Sequence, residues 1–373
     1  MRIGVDALRL SGQRLGIGRY IEYLLKHWDT MLHSHERVIV YVREPFDHAG
    51  LGLSDAFEVR VLPSRFDGML WEHLVLARHW RETDVLFCPS YTIPLHYRGR
   101  SVVATHSVNE AQPGTHPWWY HLTYRQRNKF SARRADAVIV PSSTARRHVE
   151  QLYGVEPEKI EIVAEGVDDD FQPVDDQAVL SETRRRFFGD DRPYILFVGK
   201  LSQRRSIPEL LTAFGRLKEE GIPHSLLLYG PNILGLPLDE LAAKLHISES
   251  VVQVNEKLKD HRDIMPVYSA ADLFVHPSAY EGFSLTTVEA MACGVPVVTV
   301  NRGAVAEIVD NTALTVEEPT VENLTAAMRR ALTEPELRAT LRAAALERAA
   351  SFRLSATAKG TLDVLRRVGA NVR

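Results

Sequence analysis

The sequence predicts an α/β protein of two doubly wound domains, each a parallel sheet with helices on both faces. Three observations point there. The chain has 373 residues, more than one hydrophobic core ordinarily serves. Short β-branched apolar runs alternate with longer amphipathic stretches through the first half, the pattern of βα units around a buried parallel sheet. The alternation pauses over residues 164–191, where DDDF, DD and GDD clusters mark a linker with one helix in it, and resumes at Tyr194.

In the first half the apolar runs predict strands at Arg2–Ala7, Val38–Val42, Val85–Phe87, Val102–His106, Ala137–Val140 and Ile160–Val163. The stretches between them predict helices at Tyr20–Leu32, Trp71–His79, Pro117–Arg133 and Ser142–Tyr153, with Ser142 or Ser143 as an N-cap after Pro141. The second half predicts strands at Tyr194–Val198, Leu226–Tyr229, Val251–Val254, Leu273–His276 and Val295–Val300. Its helices are expected at Pro208–Glu219, Arg262–Ala270 and Thr287–Ala292, and the Ala-, Leu- and Arg-rich chain beyond residue 320 is expected to be helical. Sheets of this kind bind ligands at the carboxyl ends of their strands. With two domains, the cleft between them is the expected site.

Composition narrows the function. A hydrophobic content of 45% with 25% charged residues is that of an ordinary globular protein, and a net charge of −3 gives no global attraction to nucleic acid or anionic membrane. Cys88 and Cys293 are the only cysteines and have no zinc-site spacing, so two buried free thiols in a reducing cytosol are expected. The N-terminal MRIGVDALRL enters a strand pattern directly, and no apolar run approaches the ~20 residues of a membrane-spanning helix. A cytoplasmic location follows as the expectation, with peripheral contact at the inner face of the cell membrane left open.

Chemistry concentrates in two stretches of the second half. Ala279–Val298 reads AYEGFSLTTVEAMACGVPVV and follows the strand LFVHPS, placing Glu281 and Glu289 eight residues apart. A loop opening a helix presents backbone N–H groups to phosphate or hydroxyl oxygens, and two carboxylates accept hydrogen bonds from a polyhydroxylated ligand. Two glutamates alone are more simply an exposed side chain and a first-turn residue favoured by the helix dipole. Phe197–Phe214 reads FVGKLSQRRSIPELLTAF, a strand, a loop and a helix. Arg204 and Arg205 sit near a helix N-terminus, where cations are ordinarily disfavoured unless they meet an anion, and guanidinium groups grip phosphate in bidentate fashion. A solvated basic loop is the plainer alternative.

Taken whole, Ala279–Val298 closely resembles the EX7E signature of family-four glycosyltransferases, which have the GT-B fold of two Rossmann-like domains around an interdomain cleft. Phe197–Phe214 resembles the same family's VGxLxxRKNxxxLLxAF, with Arg205 in place of Lys. The resemblance implies that Glu281 meets the donor sugar hydroxyls and Glu289 the nucleotide ribose. It also implies that Gly199 and the backbone of Phe283, Ser284 and Leu285 line the sugar and phosphate, and that Arg204 and Arg205 meet the diphosphate. Ser284 stands where Gly is usual and Thr286 where Pro is usual, departures that bear on the donor sugar's identity.

The first half carries weaker signals. Leu15–Leu25 reads LGIGRYIEYLL. Gly16 and Gly18 lack a third glycine and lie well past the first strand, which fits a dinucleotide site poorly and disfavours an NAD-dependent oxidoreductase. They resemble the family's GIGRYxxxLL element, whose glycines approach donor phosphates and acceptor. A plain turn before a helix is the alternative. His106 ends the predicted strand SVVATH, where the family often has His-Asp and the His approaches the donor sugar. Here Ser107 takes the Asp position, and Glu110 is a candidate substitute. In Leu70–Leu95, which also resembles the family, Trp71 and Glu72 are candidates for the acceptor, against a buried Trp beside an exposed Glu. Lys159–Phe171 matches the segment closing the family's first domain, with Glu165 in place of the usual Asn. Asp168–Asp170 has DxD spacing but reads as a solvated turn. Trp118–Arg134 is an aromatic and basic helix that suits an anionic membrane carrying a lipid-linked acceptor, or a half-buried position with a solvated basic face.

Ser351–Val368 resembles the family's C-terminal ending, with Leu354 replacing Trp. The resemblance therefore covers nearly the whole chain. It implies an acceptor-binding domain over 1–170, a nucleotide-sugar domain over 171–354, and a terminal helix of about 355–373 crossing back to the first. Backbone around Val254–Leu258 is expected at the nucleotide. The expected activity is retaining transfer from a nucleotide diphosphate sugar to a hydroxyl acceptor, a sugar, lipid-linked or other, in polysaccharide, glycolipid or glycoconjugate synthesis. Neither metal nor cofactor is expected, since two arginines replace the cation. A GT-B enzyme of another reaction type, such as a pseudo-glycosyltransferase or epimerase, and an inert GT-B binding subunit remain alternatives.

Overall fold

The computed structural model describes residues 1–10, 16–46, 49–108, 118–256, 258, 260–278 and 280–370. It divides into two compact units, Met1–Gly166 with Leu354–Arg373, and Val167–Arg353.

The first unit is built on seven parallel strands: β1 (Arg2–Asp6), β2 (Arg37–Val42), β3 (Phe57–Val61), β4 (Val85–Cys88), β5 (Ser101–Ala104), β6 (Ala137–Val140) and β7 (Ile160–Ile162), in the order β3-β2-β1-β4-β5-β6-β7. Its helices are α1 (Ile17–Met31), α2 (Gly68–Leu74), α3 (Trp118–Arg134) and α4 (Ser143–His148). The side chain of Ser142 caps α4 by accepting the Ala145 N–H at 3.0 Å, as the sequence predicts. In α1, Ile21, Leu24, Leu25 and Trp28 recur at helical spacing and are all buried.

The second unit carries α5 (Gln177–Phe188), then β8 (Tyr194–Val198), α6 (Ile207–Glu219), β9 (Ser225–Tyr229), α7 (Leu238–Lys244) and β10 (Val251–Val254). The chain continues through α8 (Met265–Ser269), β11 (Leu273–His276), α9 (Leu285–Ala292), β12 (Val297–Val300), α10 (Gly303–Val309) and β13 (Leu314–Val316). Its parallel sheet runs β10-β9-β8-β11-β12-β13, and α11 (Val321–Thr333) and α12 (Pro335–Ala349) follow. The last helix, α13 (Leu354–Ala370), belongs to the first unit. There Ala358, Leu362 and Leu365 are buried with Trp28, whose indole N–H donates to the Ala358 carbonyl at 2.8 Å. Truncating an aromatic in such a core costs about 3–5 kcal/mol.

In both sheets the order in which strands are added reverses beside the first strand, between β1 and β4 and between β8 and β11. Such switch points open a crevice at the carboxyl ends of the strands. The doubly wound α/β expectation holds for each unit.

Several elements differ from the sequence reading. Two strands escaped it. In β3, Glu58 and Arg60 break up the apolar run at the sheet's edge, and β13 is three residues long. Strand β5 stops at Ala104, so His106 lies two residues beyond it. The helix expected over Trp71–His79 is α2 followed by a 3₁₀ turn at Leu76–His79. That over Arg262–Ala270 is likewise a 3₁₀ turn leading into α8, with Pro266 in its first turn. Cys88 and Cys293 are buried free thiols. Among the described residues, no helix is long and apolar enough to cross a membrane.

Candidate functional site

In the second unit the crevice at the switch point begins where β8 ends. Gly199 continues the ladder, its N–H donating to the Tyr229 carbonyl at 2.9 Å, and the Gly230 N–H donates to the Val254 carbonyl at 2.7 Å. Both glycines have positive φ, 139° and 150°. A Cβ on Gly230 would overlap the Gly199 carbonyl, and one on Gly199 would overlap the Arg205 guanidinium. Bare backbone here lets the strand ends close up while Arg205 lies across Gly199. Arg204 and Arg205 occupy a single 3₁₀ turn, Gln203–Arg205, and Arg205 Nη1 donates to the Lys200 carbonyl at 3.3 Å.

On the β11 side the strand ends at His276 and the chain turns through Ser278 to Glu281. Ser278 Oγ donates to Glu281 Oε1 at 2.9 Å. Arg205 Nε lies 3.2 Å and Arg204 Nη1 3.5 Å from the same oxygen, and Arg204 also donates to the Tyr280 carbonyl. The Arg205 Nε–H has no aligned acceptor, so its attraction to Glu281 is ionic. Among the described residues, these contacts all fall on Oε1. Burial by itself would raise the Glu281 carboxyl; His276 and the two guanidinium groups overcome it and hold the carboxyl at about 2. His276 Nε2 is 3.5 Å away, its ring lying parallel between Phe197 and Phe274. Burial pulls the His276 pKa down, leaving a neutral ring at neutral pH, so the arginines are the cations that keep Glu281 ionised there.

Past Glu281, Phe283 is buried edge-on against Phe352, which keeps its ring turned inward. Ser284 is the N-cap of α9 at φ 112° and ψ 72°, a backbone that L-residues rarely adopt, and its hydroxyl pairs with Thr287 Oγ1 at 2.8 Å. Leu285 starts the helix, which puts Glu289 in its second turn. Glu289 is buried, with Oε1 2.6 Å from His261 Nε2 and Oε2 accepting the Tyr268 hydroxyl at 2.7 Å. The crevice thus brings Gly199, Arg204, Arg205 and Glu281 together, while the Glu289 carboxylate is buried against His261 and Tyr268. Of Val254–Leu258, Lys257 lies outside the described residues.

The first unit holds the remaining candidates. His106 Nδ1 is 2.6 Å from Glu165 Oε1, and its Nε2 is 2.9 Å from the Pro89 carbonyl oxygen. Glu165 fills the partner position for which the sequence suggested Glu110, which lies outside the described residues. Gly16 has φ 48° and caps α1, and Gly18 is buried in its first turn. The Leu15 end of that motif, Pro117 and the side chains of Trp118, Trp119 and Tyr120 also lie outside the description. Trp71 is wholly buried, as in the alternative to an acceptor contact, and its indole N–H donates to the Leu62 carbonyl at 2.9 Å. Glu72 is not the exposed residue of the alternative either, since it is buried and accepts the Thr92 hydroxyl at 2.8 Å. In the second unit, Asp168–Asp170 forms the anticipated turn, with the Asp170 N–H on Asp168 Oδ1 at 3.1 Å.

Residues 15–171 match Glycosyltransferase Family 4, and residues 181–348 match Glycosyl transferases group 1. The chain belongs to glycosyltransferase family four. It is 31% identical over 253 residues to a D-inositol 3-phosphate glycosyltransferase of Rhodococcus erythropolis, covering 64% of this chain and 55% of that one. A protein of the same description from Frankia alni is 34% identical over 241 residues, 60% and 57% of the two chains. The match therefore spans little more than half the length of these relatives. Among solved structures, a glycosyltransferase from Rickettsia africae superposes with a TM-score of 0.78 at 17% identity, covering 100% of this chain and 99% of that one. Anabaena HepE in complex with UDP and glucose gives 0.78 at 18% identity, with 98% and 99% covered. The family-four chain thus has the GT-B fold.

Sequence reasoning missed four residues of these family-four crevices: His261, Tyr268, His276 and, as a partner of His106, Glu165. His276 had a signal, a polar residue ending the apolar strand LFVH. Among the described residues, a group spaced to hold a metal ion is His33, His35 and Glu36. It precedes β2, at the amino ends of the strands and away from their carboxyl ends, and Glu36 is already paired with Arg366 at 2.7 Å.

Proposed function

We propose that the chain is a retaining, metal-independent glycosyltransferase that moves a sugar from a nucleotide diphosphate sugar to a hydroxyl acceptor. The observation that carries this reading is the Glu281 carboxylate, held ionised beside Arg204 and Arg205 at the β8/β11 switch point. A carboxylate there accepts hydrogen bonds from sugar hydroxyls. Two guanidinium groups match a diphosphate and stabilise the charge that grows on it as the glycosidic bond breaks. With that charge met by side chains, a divalent cation is unnecessary. Gly199 makes room for Arg205 beside the phosphates, and Glu289 receives the ribose. The complex of HepE with UDP and glucose, and the relatives' names as inositol-phosphate glycosyltransferases, support a nucleotide sugar and a hydroxyl acceptor.

In this reading the second unit binds the donor and the first binds the acceptor. The bond from the anomeric carbon to the diphosphate oxygen breaks, and the acceptor oxygen bonds to that carbon on the same face. The acceptor's proton passes to the departing phosphate oxygen, which closes the proton balance without a protein base. Exposed Met69, Leu95 and Phe130 near Arg127 and Arg134 support contact with an anionic lipid surface carrying the acceptor.

The Glu281→Ala variant tests the assignment. Transfer is expected to fall by at least about 10²-fold, while nucleoside diphosphates still raise the melting temperature as they do in the parent. Full activity in that variant overturns the reading.

A further inference from the structure

His106 has both ring nitrogens committed. A carbonyl oxygen can only accept, so Nε2, at 2.9 Å from the Pro89 carbonyl, carries a hydrogen. Nδ1 faces a carboxylate oxygen of Glu165 at 2.6 Å, the distance of a charge-assisted hydrogen bond. The pair is largely enclosed, with the two side chains 17% and 15% exposed. Tyr20 of α1 and Tyr91, from the segment after β4, stand edge-on to the imidazole at 5.0 and 5.6 Å and restrict its rotation.

His106 is followed in the chain by Ser107, which has no carboxylate, and the acid within hydrogen-bond reach of its ring is Glu165, 59 residues further on.

We propose that Glu165 is a positioning residue that holds His106 as an imidazolium with both N–H groups engaged, so that the ring acts through fixed orientation and charge and not as a base. The consequence for turnover rests on the glycosyltransferase reading above. It leaves the leaving phosphate as the acceptor of the substrate proton, because the imidazolium has no lone pair to offer.

The charge state follows the same geometry. Burial alone would lower the His106 pKa, but the Glu165 hydrogen bond and charge, with the Pro89 carbonyl, raise it above the usual histidine value. The titratable groups facing the ring among the described residues are Glu165, Tyr20 and Tyr91. Burial pushes the Tyr20 hydroxyl well above its usual value, so it stays neutral where His106 titrates. The imidazolium is therefore complete at low pH and is lost as pH rises through the raised pKa.

Nitrogen-15 NMR of the full chain reads the ring directly, without substrate. Both His106 nitrogens are expected in the protonated state at pH 7, with a midpoint above that of free histidine. In Glu165→Gln, which keeps the shape and removes the charge, the midpoint is expected to fall by at least about one pH unit. With UDP-glucose as the probe donor, kcat of that variant is expected to drop by several-fold at pH 8, towards a ceiling of about tenfold per pH unit of lost midpoint, and by no more than about twofold at pH 5.5, with KM within about twofold. A bare Nδ1 in the parent, or an unmoved midpoint in the variant, overturns the proposal. Full kcat in His106→Ala overturns the ring's role while leaving the Glu281 donor site standing. Loss of turnover in Glu281→Ala with His106 titrating as in the parent keeps the two readings separate.

Discussion

Arg205 Nε lies 3.2 Å from Glu281 Oε1, and both side chains are largely buried, 17% and 12% exposed. A pair this enclosed keeps its strength because little water screens it. The same guanidinium lies across Gly199, so its position is set by packing as well as charge. In Arg205→Lys the charge survives, but the planar fork that matches a diphosphate does not. Steady-state kinetics should show kcat reduced about 10- to 100-fold, with the melting temperature lowered by only a few degrees. An unchanged kcat would remove Arg205 from the leaving-group site.

Gly199 cannot be replaced without disturbing that arginine. At φ 139° any Cβ is strained, and the space it needs is filled by the guanidinium. Gly199→Ala should cost about 1–3 kcal/mol through backbone strain, seen as a drop of about 2–4 °C per kcal/mol for a unit the size of Val167–Arg353. Donor affinity should fall with it, because Arg205 is displaced. Gly230→Ala should be worse, since its Cβ meets the Gly199 backbone rather than a side chain that can move. Thermal melts of the two variants, read side by side, test the ordering.

Ser284 shows the opposite relation between residue and backbone. A serine is held at φ 112° where the family pattern has glycine. Relief of that strain in Ser284→Gly should stabilise the chain by about 1 kcal/mol, raising the melting temperature. The hydroxyl pair with Thr287 at 2.8 Å is lost in the same change. If that pair shapes the sugar pocket, relative turnover of UDP-sugars differing at one hydroxyl should shift as well. A lower melting temperature would mean that the hydroxyl pair outweighs the strain.

The fold was legible in the sequence because two buried parallel sheets leave continuous β-branched runs, such as YILFV at β8 and AVIV at β6. Edge strand β3 was not, since Glu58 and Arg60 face away from the core and dilute the signal. Arg204, Arg205 and Glu281 were legible as candidates because their motifs are local: a strand, a loop and a helix within about 20 residues. The His106–Glu165 pair was not, because 59 residues separate its members and only the β5-to-β7 topology brings them together. For the same reason, His261 and Tyr268 could not be assigned to Glu289 from spacing. The burial of Glu72 beside Trp71 was not legible, because its hydrogen-bond partner Thr92 lies 20 residues away in sequence.

Glu36 and Arg366 join the chain's two ends within the first unit. The guanidinium of Arg366, on α13, donates to both carboxylate oxygens of Glu36, at 3.0 and 2.7 Å. Burial would raise the Glu36 carboxyl, but Arg366 and the His33 N–H lower it to about 2 from an ordinary 4.5. A depressed carboxyl stabilises the fold fully above its unfolded pKa and loses that contribution as pH falls through the folded one. The stabilisation therefore disappears between about pH 4.5 and pH 2 and is worth roughly 3 kcal/mol at neutral pH. Arg366→Met removes the partner while keeping an aliphatic stem on the helix. Denaturant unfolding at pH 7 should show a loss of about 2–3 kcal/mol, and the gap from the parent should narrow steadily towards pH 2. A gap that stays constant over that range would show that Arg366 acts through packing alone.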